Sequence, residues 1–157
     1  MAVTPFIMKT WVEGDVTLVE IGGAIDEKAK FIEVKLNGKM IVNLEAVNFI
    51  NSVGTRSWCL WLQRFRAPTQ ITMVRCPVIM VKSFSSVKNF LTDRCTIESF
   101  YVPFYSDKIG ERQDFLAVRG ANFGDGNFTF PELKDSAGEL MEMDVIPELY
   151  LSFIKAP

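Results

Sequence analysis

The chain reads as an α/β protein: helices packed on a mixed β-sheet, followed by a small β-rich appendage. Three observations predict this. From Phe6 to Phe104, segments follow in the order strand, strand, helix, strand, helix, strand, helix, strand, and such alternation belongs to a sheet with helices laid against it. At 157 residues and 48% hydrophobic content, the chain suits one domain, or one domain with a small addition, and can fill a core. The texture then changes after Tyr105. Residues 1–105 hold 12 Lys/Arg against 9 Asp/Glu, a balance of +3, whereas residues 106–157 hold 5 against 10, a balance of −5. The expected division is therefore a main domain over 1–105 and an appendage over 106–157. The appendage is too short to build a strong core alone and should lean on its neighbour.

Phe6 to Val12 alternates loosely as a strand, and Glu13-Gly14-Asp15 supplies a hairpin turn. Val16 to Ile21 is the second strand, ended by Gly22-Gly23. Asp26 is placed to cap a helix from Glu27 to Leu36, with Ala29, Ile32 and Leu36 on one side; Ile32, Val34 and Leu36 also fit a strand alternation. Asn37-Gly38 breaks the chain before a strand over Met40 to Leu44. From Val53 to Phe65, Trp58, Trp61, Leu62 and Phe65 form a single apolar stripe at helical spacing, the pattern of a core-facing helix stopped by Pro68. Gln70 to Val74 is a strand, Val78 to Leu91 a helix, and Cys95 to Phe104 a β-rich run. Beyond it, Phe115 to Val118 and Asn127 to Phe130 are short strands between glycine turns. Val145 to Leu151 fits a strand or one helical turn.

Composition excludes several chemistries. Histidine is absent, which removes Ser-His-Asp and Cys-His catalysis together with the commonest metal ligand. Cys59, Cys76 and Cys95 are odd in number and widely spaced, so neither a disulfide frame nor a cysteine metal site is expected, and reduced thiols are. No glycine-rich loop of phosphate-binding type occurs, and Glu139, Glu142 and Asp144 read as a solvated acidic face. No basic stripe suits nucleic acid. The apolar runs are too short to span a bilayer. Met1 to Pro5 lacks the features of a secretory leader, so a cytoplasmic location is expected. The reading is of a protein that is not an enzyme and needs no cofactor or metal.

The serious candidates lie where an apolar strand runs into a helix: Asn51, Ser52, Val53, Gly54 and Arg56. A helix N-terminus carries unpaired N–H groups and partial positive charge. Asn51 or Ser52 can serve as the N-cap, with Gly54 allowing close backbone approach. Ser52 can equally be a phosphoacceptor, since a phosphate of roughly −1.5 to −2 charges would rewrite the surface there.

The run IVNLEAVNFINSVG, with VTLVEIGGAID before it and ITMVRCPVIMVKSFSSVKNFL after it, resembles the STAS domain (sulphate transporter and anti-sigma factor antagonist) over residues 5–105. In bacterial anti-sigma factor antagonists this strand ends in an Asp-Ser-Ser-Gly type loop whose first serine a partner kinase phosphorylates. Here Asn51 stands at the aspartate, Ser52 at that serine, Val53 at the second serine, and Gly54 is kept. The segment is similar to a proteobacterial STAS subgroup whose domain is followed by a zinc-ribbon-like segment with two CxxC pairs. The matching places here are Ser106, Ile109, Lys134 and Ala137. None is a thiol, so a Cys₄ zinc site is excluded and the resemblance implies a metal-free ribbon packed through Phe128, Phe130 and Leu133.

The resemblance implies a regulatory protein–protein interaction module for transcription signalling, switched at Ser52, with a partner of anti-sigma factor or serine-kinase type. Arg56 is placed to pair with an acidic partner. The alternatives are a non-switching scaffold or oligomerisation domain, such as a homodimer, in which Ser52 is only a cap, and a small-ligand-binding domain with its pocket near the strand ends. No nucleic acid or membrane partner is expected.

Overall fold

A computed structural model describes residues 2–35 and 38–154. It is a mixed α/β structure with three sheets and three helices among the described residues. The first sheet is five-stranded, in the order β1 (Ile7–Glu13), β2 (Val16–Ile25), β3 (Lys39–Ile50), β4 (Gln70–Val74) and β5 (Cys95–Ile97). The β1–β2 pair is an antiparallel hairpin, and β2 through β5 run parallel. Because strand order follows chain order, crossovers of one hand put α1 (Ser52–Gln63) and α2 (Val78–Ser86) on the same face. Burial agrees. Met40, Val42 and Leu44 of β3 are fully buried, while Ile41 and Asn43, pointing the other way, are half-covered and Glu45 is exposed.

Two of the three predicted strands before α1 run longer than expected. β2 continues through Gly22-Gly23 to Ile25, and β3 continues past Leu44 to Ile50. The glycines permit passage rather than ending the strand. A Cβ on Gly22 would lie 2.9 Å from that of Ala46, and one on Gly23, which sits at φ +73°, would lie 1.9 Å from the carbonyl oxygen of Pro5. The register slips between Glu20 and Gly22 and again between Gly23 and Ala24, as a bulged strand does.

The expected helix from Glu27 to Leu36 is not formed. Asp26 closes a turn, its carboxylate accepting the Lys28 N–H at 2.9 Å, and the chain then runs without regular structure to Lys35; Leu36 and Asn37 lie outside the described residues. The reason is reach. The connection must return along the ten residues of β2, about 30 Å, while crossing a layer. A ten-residue helix rises only about 15 Å, and the few residues left over cannot cover the rest. Phe31 anchors the extended chain, its ring 5.0 Å from Phe6 and 5.3 Å from Trp61.

The run Cys95–Phe104 divides between two sheets. β5 closes the first. β6 (Ser99–Tyr105) centres a three-stranded antiparallel sheet with β7 (Arg112–Val118) and β10 (Glu142–Met143), and β8 (Phe123–Gly124) pairs with β9 (Asn127–Phe128). The sheets are stitched at Cys76, whose N–H reaches the Ser99 carbonyl at 3.1 Å and whose carbonyl accepts from Tyr101 N at 2.9 Å. The helix predicted to Leu91 stops at Ser86, and Val145–Leu151 resolves to a single turn, α3 (Pro147–Tyr150). In the second part of the chain, two turns face one another. The buried Ser106 hydroxyl donates to the buried Asp135 carboxylate at 2.6 Å, and Asp135 also accepts the Ala137 and Glu139 N–H groups. The Ser106 bond, ahead of those N–H groups, holds the Asp135 carboxyl below the usual range.

Candidate functional site

The junction between β3 and α1 brings the five sequence candidates together at the carboxyl end of a central parallel strand. Asn51 is the N-cap. Its backbone is extended (φ −115°), and its side-chain oxygen accepts the Gly54 N–H at 2.8 Å, satisfying one of the helix's free donors. Its amide nitrogen donates to Glu27 Oε2 at 3.0 Å, tying the loop after β2 to the loop after β3. The backbone N–H of Glu27 itself, then the Asn51 amide, hold the Glu27 carboxyl below its ordinary pKa. The Thr55 hydroxyl donates to the Asn51 carbonyl at 2.9 Å, and Thr55 N bonds the same oxygen at 2.8 Å.

With capping done by Asn51, Ser52 is left as the exposed first residue of α1. Gly54 is buried for a steric reason: a Cβ there would lie 1.6 Å from the Ile25 carbonyl oxygen. The helix start is thereby seated directly on the end of β2. Val53 is 51% exposed, Arg56 is exposed, and Arg56 makes no ion pair among the described residues.

Sequence reasoning missed Leu60, which is 50% exposed. At helical spacing from Val53 and Arg56 it continues the same outward stripe. The signal was present in the sequence: Leu60 falls opposite the Trp58, Trp61 and Leu62 face that α1 buries. α1 carries no acidic residue in its first turn, so no native carboxylate on the helix answers its positive end.

A second polar cluster, not singled out in the sequence, joins Glu45 in the middle of β3, Arg75 just past the end of β4 and Tyr101 of β6. Tyr101 donates its phenolic hydrogen to Glu45 Oε1 at 2.5 Å, and Arg75, in the left-handed region at φ +52°, reaches both Glu45 (3.3 Å) and the Tyr101 oxygen (3.2 Å). Burial and the Glu45 bond push the Tyr101 phenol up. The cluster borders a cleft of about 430 Å³ that Asn48, Pro77, Val78 and Asp114 also line. Asn48 pins the N-terminal segment by donating to Ala2 O and Thr4 Oγ1, and its side-chain oxygen has no partner among the described residues.

The cysteine thiols are not activated. Burial pushes Cys59, Cys76 and Cys95 up, which disfavours the thiolate needed for nucleophilic chemistry. Among the described residues no group of three or more His, Cys, Asp or Glu side chains could hold a metal ion, and no helix is long and apolar enough to cross a membrane. Comparison with protein-family models, with curated proteins and with solved structures finds no match.

Proposed function

We propose that the protein is a STAS-type regulatory module that binds a protein partner, of anti-sigma factor or serine-kinase type, through the Asn51–Gly54 loop and the outer stripe of α1. The observation that carries this reading is the exposure of Ser52, beside exposed Val53, Arg56 and Leu60, at a helix start whose cap belongs to Asn51. Val53 and Leu60 around Arg56, which has no ion-pair partner among the described residues, make a small docking stripe. A hydroxyl at its edge, not needed for capping, is free to be modified. Support for the STAS assignment comes from the motif resemblance and from a β1-β2-β3-β4-β5 sheet with the loop at the end of β3. The facing turns at Ser106 and Asp135 accord with a ribbon that lost its metal: a hydroxyl–carboxylate bond stands between the turns.

Phosphorylation of Ser52 would place about two negative charges at the positive end of α1. The helix tolerates that charge, so the fold persists while the docking stripe changes sign and releases its partner. Ser52→Asp and Ser52→Ala variants test this through affinity capture with quantitative mass spectrometry, scoring phosphate on Ser52 in the same run. The expected result is one partner retained by the alanine variant and depleted at least about tenfold by the aspartate variant. Equal capture by both variants overturns the switch.

A second reading, a small-ligand site, is favoured by the cleft beside Glu45, Arg75 and Tyr101 with its unpartnered Asn48 oxygen. Under it, a polar small molecule raises the Tm of the wild type and leaves that of Tyr101→Phe unmoved. A screen that finds no such ligand removes this reading.

A further inference from the structure

β1 ends the first sheet and pairs only with β2 among the described residues. It is seven residues long and, against β2, runs without a bulge or a proline, two of the devices that ordinarily keep an edge from pairing. Trp11 and Val12 on it are 42% and 66% exposed.

The hairpin determines which backbone groups of that edge are free. Gly14-Asp15 is a two-residue turn with Gly14 at φ +62°, so the closing pair Glu13–Val16 is a hydrogen-bonded one. By alternation Trp11, Lys9 and Ile7 also direct their N–H and C=O groups toward β2. Met8, Thr10 and Val12 direct theirs outward. An antiparallel strand arriving from outside must meet those outward groups with its own, and a second copy of β1 related by a twofold axis can do so in few registers. Centred on Lys9, the pair opposes Lys9 to itself. Centred on Thr10, it sets Ile7 against Glu13. Centred on Val12, it overlaps only the strand ends and sets Trp11 against Glu13. Centred on Trp11, it places Lys9 of each chain opposite Glu13 of the other, Thr10 opposite Val12, and the two indoles side by side.

The open face argues for the same arrangement. Trp11 is in register with Leu18, Leu18 with Ile41, and Ile41 with Thr72, a row across the sheet face that the helices leave uncovered. A twofold axis at Trp11 joins that row to its symmetry mate without a break.

We propose that β1 is a homodimerisation edge: two chains pair their β1 strands antiparallel about an axis at Trp11, fusing two five-stranded sheets into one, with reciprocal Lys9–Glu13 pairs. The interface is separate from the Asn51–Gly54 loop, so its test is independent of the functional reading above.

Charge reversal tests it, because Lys9 and Glu13 are exposed and their replacement leaves the fold intact, as circular dichroism of each variant checks. Sedimentation equilibrium over about 1–100 μM is expected to show wild-type dimer. Lys9→Glu and Glu13→Lys each set like charges opposite one another twice, and each is expected to raise the dimer Kd at least about tenfold. Mixed in equal amounts, the two variants complement one another across chains, and the mixture is expected to recover the dimer. A monomeric wild type overturns the proposal. So do single variants that dimerise like wild type, or a mixture no tighter than either variant alone.

Discussion

Asn51 performs two jobs at once, capping α1 through its oxygen and holding Glu27 through its nitrogen. Asn51→Ala removes both, and at neutral pH it is expected to cost about 1 kcal/mol from the cap. The Glu27 contribution depends on pH. A carboxyl whose pKa is depressed in the folded state adds stability above its unfolded pKa and loses it as pH falls through the folded value; Glu27 is of this kind. The gap between wild type and Asn51→Ala is therefore expected to narrow as pH falls from about 7 to about 3. Urea titrations at each pH read this directly, and a gap of constant size would refute the link to Glu27. Gly54 fails for a different cause. Any Cβ there meets the Ile25 backbone at 1.6 Å, and backbone cannot swing aside as a side-chain tip can. Gly54→Ala is expected to cost at least about 3 kcal/mol, seen as a fall in the denaturation midpoint.

At the level of elements, α1 is held by two tryptophans whose polar ends differ. Trp58 donates its indole N–H to the Phe90 carbonyl at 3.0 Å, whereas the buried Trp61 nitrogen has no partner among the described residues. Replacing each by Phe removes similar volume, but only Trp58→Phe strands a buried carbonyl. It is expected to cost about 1–3 kcal/mol more than Trp61→Phe, a difference that paired unfolding curves measure. This helix was legible from its sequence because one apolar stripe at regular spacing faces one sheet, and the site was legible for the same reason: a polar turn between a buried strand and that stripe has few places to go. The segment after Asp26 was not legible. Its apolar residues satisfy a helical count locally, and what forbids the helix is the distance back to the start of β3, a property of the sheet and not of the segment. The run at Cys95 was misread likewise. Nothing in alternating apolar residues marks the point at Glu98 where the chain leaves one sheet for another. The Glu45–Arg75–Tyr101 cluster escaped because its members lie 30 and 26 residues apart and meet only once both sheets exist.

Across the whole molecule, the question is whether the two larger sheets fold as one unit. Their interiors are continuous. Val42, Met73 and Met80 from the first layer share a core with Phe100, Val102, Phe104, Ala117 and Tyr150 from the second. The last described residues close over the seam. The Tyr150 hydroxyl donates to the Tyr101 carbonyl at 2.6 Å, the Ser85 hydroxyl of α2 donates to the Tyr150 carbonyl at 3.2 Å, and the Phe153 ring lies 5.6 Å from Phe84 and 4.9 Å from Phe100. A single core of this kind unfolds cooperatively, so a loss on one side must lower the midpoint on the other. Tyr150→Phe makes the test sharp. It keeps the ring and strands the Tyr101 carbonyl, a cost of about 1–3 kcal/mol, while the chain's three tryptophans all lie in the first sheet and its helix. Tryptophan fluorescence is thus a reporter remote from the change. Its unfolding midpoint is expected to fall in Tyr150→Phe by the same amount as the midpoint from far-ultraviolet circular dichroism. A fluorescence midpoint that stays in place while the dichroism midpoint drops would mean that the second sheet unfolds on its own, and that the clasp from α2 to β6 does not couple the two.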